Sequence, residues 1–392
     1  MIPELRSKYN KEFTEHKYQE FLKDAWEITN GEKDYRVCET PLFIDDLLNA
    51  KLLQASNEIL DSLKSEEFRK NAAGGLPNKY KVANETENPL FLQIDFGICK
   101  NDKGEYVPKL IELQGFASLY MYQSFLSRLL KKHFEIDDNL TSFYNGYTAD
   151  TYEDYFSKTL LGNSDPENVV LLEIDPHQQK TRIDFYLTEK KSGIKILDIR
   201  DLILRNSKLF YKVDGIEIPI ERIYNRVIFD ELERRNINLN FDIHSDINVE
   251  WVGHPNWFFK ISKHSLPMIK SSYAPNCFYL DQLDKYPDDL ENYVLKPLYS
   301  FAGAGVEIDI DKAKLDRIKD RNNYILQEKV EYAPLINTPE GYSKAEIRLM
   351  YIWDKEPILV NNLLRTGRGK MMGVDYNKGF SWIGASIAFH RK

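Results

Sequence analysis

The sequence predicts a mixed α/β fold of the α+β kind, and three observations carry that expectation. Amphipathic helical spacing dominates residues 9–70, strand and helix patterns alternate from about 164, and the chain beyond about 256 is rich in strand-like runs. At 392 residues the chain exceeds the size at which one hydrophobic core usually stops growing. We therefore expect three parts: 1–163, helices plus a hairpin; 164–255, a small α/β unit; and 256–392, a strand-rich region.

In the first part, KYQEFLKDAWEIT and FIDDLLNAKLLQASNEILDSLKSEEFRK place apolar residues three and four apart, with charges between them. NAAGGLPNKYK breaks the pattern with Gly-Gly and Pro. Two short apolar runs follow, PLFLQIDFGI and PKLIELQGF, joined by the polar turn CKNDKGEY; they predict a β-hairpin with strands near 90–98 and 107–114. SLYMYQSFLSRLLKKHF returns to helical spacing, and GNSDPEN marks the end of the part.

In the second part, VVLLEID, RIDFYLTEKKSG and IKILDIRDLIL read as strand, helix and strand. LFYKVDGIEIPIERIYNRVIF predicts a hairpin across Asp214-Gly215 and then a strand leading to Arg226. The third part offers five strand-like runs, YVLKPL, GVEIDI, NYILQEKV, KAEIRLMYIW and EPILVNNLLRT, as expected for an antiparallel or mixed sheet.

Bulk properties narrow the function. A net charge of −8 argues against a general nucleic-acid or anionic-membrane surface, so any phosphate must be bound locally. Three widely spaced cysteines, Cys38, Cys99 and Cys277, suit a reducing compartment better than a disulfide framework. MIPELRSKYNKEF has no apolar core of a signal peptide, and no run approaches the roughly 20 apolar residues of a membrane span. The expected location is cytoplasmic, with neither nucleic-acid nor membrane partners.

Four stretches could carry chemistry. In YVLKPLYSFAGAGV, Lys296 precedes a loop with Gly303 and Gly305, where backbone N–H groups can approach a phosphate and the ammonium supplies charge; an ordinary hairpin explains the same glycines. On the first hairpin, Glu112 and Gln114 share a face and Asp95 interrupts an apolar run on the partner strand. Such oxygen donors suit Mg²⁺, and a solvated face explains them equally. YILQEKVE, with Glu346 and Arg348 on the following strand, could frame a base and ribose, or be plain core strands. Residues 361–386 gather Arg365, Arg368, Lys370 and Lys378 among five glycines, a composition found in lids.

Taken in order, QIDFGICKNDKGEYVPKLIELQGFASL, YVLKPLYSFAGAGV, YILQEKVE and LVNNLLRT…GFSWIGAS resemble the circularly permuted ATP-grasp ligases, the eukaryotic-type glutathione synthetases and glutathionylspermidine synthases. The resemblance implies a permuted ATP-grasp fold with an N-terminal helical segment, an inserted small α/β substrate-binding domain at 164–255, and a nucleotide-binding region with a lid at 256–392. It implies Mg²⁺ on Asp95, Glu112 and Gln114. ATP phosphates would lie on Lys263 (Lys260 being the next match), Lys296, Ser300, Gly303 and Gly305. The base would lie along Gln327, Glu328, Lys329 and Val330, and the ribose on Glu346. Arg226 and Arg365 would hold substrate carboxylate or acyl-phosphate, and 379–386 would close over them.

The implied reaction is ATP-dependent joining of a small-molecule carboxylate to an amine on a small peptide, amino acid or polyamine, with a homodimer left open. A kinase that stops at phosphorylation is a further reading, and three departures leave room for a catalytically degenerate nucleotide-binding or scaffold protein. Gln114 stands where the family has Asn, no acid lies between Lys296 and Glu307, and Gly367 replaces a basic residue that Arg368 or Lys370 could supply.

Overall fold

The computed structural model describes residues 1–299, 305–373, 377 and 379–392. Its centre is an antiparallel sheet ordered Gly384–Ser386, Pro357–Gly367, Gly341–Trp353, Leu90–Lys100, Tyr106–Gln114, with Ile336–Thr338 pairing on the side against Gly341–Trp353. The expected first hairpin is present, and Asn101 shapes its turn by accepting from the N–H groups of Lys103 and Glu105 at 3.1 and 2.9 Å. Its first strand pairs directly with Gly341–Trp353 from Glu346↔Gly97 to Trp353↔Leu90, so stretches expected in the first and third parts share one sheet. Strand Leu90–Lys100 is buried almost throughout, which explains its nearly unbroken apolar run.

Helices cover this sheet. Asp46–Lys64 starts at Asp45, whose carboxylate accepts from Leu48 N–H at 2.9 Å, and contributes Leu48, Leu52, Ile59 and Leu63 to a core shared with Leu92, Ile94, Ile347 and Leu349. Tyr120–His133 forms as its spacing predicts. Ala149–Leu161, capped by Thr148 and closed by Gly162, is a helix that the sequence reading passed over.

The 164–255 segment folds as an all-parallel sheet ordered Glu250–Val252, Arg222–Asn225, Val169–Glu173, Lys195–Asp198, with Arg182–Ser192 as the crossover helix. The hairpin of Lys208–Val213 with Ile216–Ile220 turns at Asp214 and Gly215, both with positive φ (50° and 84°), as an Asp-Gly turn requires.

Beyond 256 the strands divide among the central sheet, a small antiparallel sheet, Cys277–Tyr279, Tyr324–Glu328, Tyr293–Pro297, and a third sheet in which Ala388–Arg391 lies between Leu42–Phe43 and Leu140–Thr141. GVEIDI departs from expectation: it makes a single bridge, Leu295 with Glu307, and then turns into the short helix Lys312–Asp316 capped by Asp311. Among the described residues no helix is long and apolar enough to cross a membrane.

Candidate active site

Two cavities open where these sheets meet. The smaller, about 770 Å³, lies between the small sheet and the central one; Glu112, Lys263, Lys296, Gln327–Val330, Glu346 and Arg365 line it, together with apolar Ile111, Val294, Val306 and Ile308. The larger, about 1010 Å³, lies between the central sheet and the parallel unit and is lined by Gln114, Arg226, Arg348 and Arg365. Both include Lys180, Arg365 and Met372.

Sheet register explains the convergence. Glu346 and Arg348 are two apart on one strand and share a face; Arg365 lies opposite Glu346, Asp95 opposite Arg348, and Glu112 opposite Asp95. Arg365 donates to Glu346 Oε1 at 2.7 Å, and the Tyr332 hydroxyl donates to Glu346 Oε2 at 2.8 Å. Burial raises the Glu346 carboxyl above its ordinary value, with Arg365 pulling it back. Lys263 donates to Glu112 Oε1 at 2.7 Å. Burial alone would raise the Glu112 carboxyl, but Lys263, Lys296 and Arg348 outweigh it and hold it at about 2.

Lys296, on Tyr293–Pro297, donates to the Ile111 carbonyl at 3.3 Å; burial lowers its pKa and Glu112 partly restores it. Gln327 is 1% exposed, its Nε2 reaches the Leu110 carbonyl at 3.5 Å, and its Oε1 has no hydrogen-bond partner among the described residues. An unpaired buried amide oxygen costs free energy and is suited to a ligand donor. Glu328 accepts from the N–H and side chain of Asn276 at 3.1 and 3.0 Å, and Lys329 reaches the Glu291 carbonyl. These contacts fix the strand end that bounds the cavity. Ser300 and Gly303 lie outside the described residues; Gly305 has φ 72°, where a Cβ would meet Pro297 at 3.0 Å. Lys260 pairs with Glu85 over the Trp257 ring and faces neither cavity, which singles out Lys263 of the two lysine matches. Arg368 is turned to Thr338 and Glu340, whereas Lys370 lines the smaller cavity.

In the larger cavity, Arg226 is 5% exposed and follows the strand Arg222–Asn225. Its guanidinium stacks over Phe116 and Phe185, 4.6 and 5.5 Å from the ring centres, while Nε and Nη1 have no acceptor among the described residues. Burial pushes the neighbouring Glu173 up to about 8 against the pull of Arg226. The 379–386 segment borders this cavity through Gly379, Ile383, Gly384 and Ala385. It is tied down more than a free loop would be, since Gly384–Ser386 pairs as a strand with Pro357–Gly367 and Trp382 N–H donates to Glu39 at 2.8 Å.

The predicted acids divide differently. Arg348 Nε and Nη2 donate to the two oxygens of Asp95 at 2.6 and 2.7 Å, and Nη1 donates to Gln93 Oε1 at 2.9 Å. Gln114 lines the larger cavity and Glu112 the smaller. Mg²⁺ needs near-octahedral oxygen ligands. With Asp95 forked onto a guanidinium and Glu112 held by Lys263, these three residues do not fit the ion as a set in this structure. Tyr332 and Gln93 are site residues that the sequence does not single out, and Arg348, named beside Glu346 in a candidate base and ribose frame, is instead forked onto Asp95. Arg348 carried a signal, being with Lys344 and Glu346 one of three charges in a strand whose later residues are apolar.

No family model matches the sequence, and no curated protein matches it. Among solved structures, the chain is similar to a glutathione synthetase-like effector from Globodera pallida, solved in its apo form. The TM-score is 0.59 and the identity 12%, over 96% of this chain and 98% of that one. The chain therefore has a glutathione synthetase-like fold.

Proposed function

We propose that this protein is an ATP-dependent carboxylate–amine ligase of the permuted ATP-grasp kind, acting on a small peptide, amino acid or polyamine. The observation that carries the reading is the junction of the two cavities at Arg365. One cavity has lysines and an amide oxygen without a partner among the described residues; the other has a buried arginine with two such nitrogens. ATP suits the smaller cavity: Lys263 and Lys296 would meet its phosphates, Gln327–Val330 its base and Glu346 its ribose. Bound there, it would supply the phosphoryl group that activates a carboxylate for attack by an amine. Arg226 and Arg365 would hold that carboxylate in the larger cavity and neutralise charge as it develops, so positioning and electrostatics carry the catalysis. The 379–386 segment, which borders the larger cavity, would help keep water from the activated acid.

The test is ADP release from purified protein with pooled carboxylates and amines, followed by mass spectrometry of the products. A condensed amide product supports the ligase, and a stable phosphorylated product would move the assignment to a kinase. A second reading, a nucleotide binder without turnover, is favoured by the pairing of Asp95 with Arg348; it predicts nucleotide binding with no ADP release.

A further inference from the structure

The resemblance gives Arg348 no role, yet its guanidinium occupies both oxygens of Asp95, one of the three side chains on which a metal ion is expected. The residue is 6% exposed and spends three of its donor nitrogens on Asp95 Oδ1, Asp95 Oδ2 and Gln93 Oε1. A guanidinium is planar and permanently charged, and its fork matches a carboxylate bidentately, so this seat is a strong one. Arg348 also lines the larger cavity, two residues along the strand from Glu346, whose partner Arg365 lines both cavities.

The surrounding charges point the same way. Lys263 pairs with Glu112, Arg365 with Glu346 and Arg348 with Asp95, while Lys296 adds a further cation on the Ile111 carbonyl. Four cations against three carboxylates leave the cluster one charge positive. Adding a dication would increase like-charge repulsion, whereas adding a polyphosphate would relieve it.

We propose that Arg348, which faces the larger cavity, is a resident counter-cation beside the nucleotide seat, held on Asp95 where a divalent metal is expected, so that polyphosphate nucleotides bind the smaller cavity without a metal ion. The inference rests on the nucleotide reading of the smaller cavity. Calorimetric titration of the full chain with a non-hydrolysable ATP analogue, in excess EDTA and again in Mg²⁺, tests it. The expected affinities agree within about threefold, and a loss of about tenfold or more on removing the metal overturns the inference while leaving the nucleotide site intact. Folded protein that binds the analogue in neither condition overturns the nucleotide reading and this inference together. Two variants locate the effect. Arg348→Gly is expected to bind about tenfold or more weakly in EDTA, and Arg348→Lys, which keeps the charge, to remain independent of metal. Wild-type affinity of folded Arg348→Gly in EDTA overturns the role of the arginine. Should Arg348→Gly fail to fold, the wild-type comparison and Arg348→Lys decide the matter.

Discussion

Glu346 and Arg365 face each other across two adjacent strands of the central sheet, paired at 2.7 Å in the wall between the two cavities. Glu346 is 4% exposed and takes a second hydrogen bond from Tyr332, so the pair is fixed on the carboxylate side while Arg365 reaches both cavities. In the ligase account this arginine is where nucleotide and carboxylate substrate meet.

Arg365→Ala is accordingly expected to lower kcat/KM for ADP release by about a hundredfold or more, the scale of removing one charge-stabilising donor. Tyr332→Phe removes only the second bond to Glu346 and should cost about 1 kcal/mol of stability by urea titration, with turnover largely retained.

The lysines should separate cleanly. Lys296→Ala and Lys263→Ala are expected to weaken binding of an ATP analogue by about tenfold or more with the circular dichroism unchanged, while Lys260→Ala, whose partner is Glu85, should leave it unaltered. Equal losses at Lys260 and Lys263 would remove the assignment of the smaller cavity to phosphate.

Glu173 gives a pH signature. Its carboxyl is raised from 4.5 to about 8 by burial, so between these values the folded protein keeps a proton that the unfolded chain has lost. Stability should therefore fall as pH rises through that window, and Glu173→Gln should flatten the fall, by an amount on the order of 4 kcal/mol at pH above 8. The opposite sign holds at Glu112: held at about 2, it contributes stability above pH 4.5 that is lost as pH falls toward 2. Denaturant midpoints across pH read both effects, and an unchanged slope in Glu173→Gln would show that the group titrates normally.

Asp95→Ala leaves the buried Arg348 without its carboxylate and is expected to cost about 3–5 kcal/mol. Adding Arg348→Met to that background should recover much of the loss, because an apolar side chain leaves no stranded charge. Additive losses in the double-mutant cycle would mean that the two residues are not coupled.

The elements legible in the sequence are those set by local chemistry. The polar turn after Lys100 announced the first hairpin, and Asp214-Gly215 announced the second, since few residues tolerate the required positive φ. Lys296, Glu112, Glu346 and Arg365 were picked out by motif order and converge on one cavity. Arg348 was not, because its partner Asp95 lies 253 residues away and only sheet register brings them together. GVEIDI misled for a related reason: its alternation is that of a strand, but it meets its neighbour at one bridge before Asp311 caps a helix. Gly384–Ser386 reads in the sequence as part of a closing loop because its glycine and small residues carry no strand pattern; its pairing comes from the Leu364–Thr366 edge.

The most direct test of the central claim is a crystal structure of the full chain grown with a non-hydrolysable ATP analogue. The account predicts phosphates against Lys263 and Lys296, and the base beside Gln327 to Val330. An analogue seated elsewhere, or a smaller cavity left empty at saturating concentration, would contradict it.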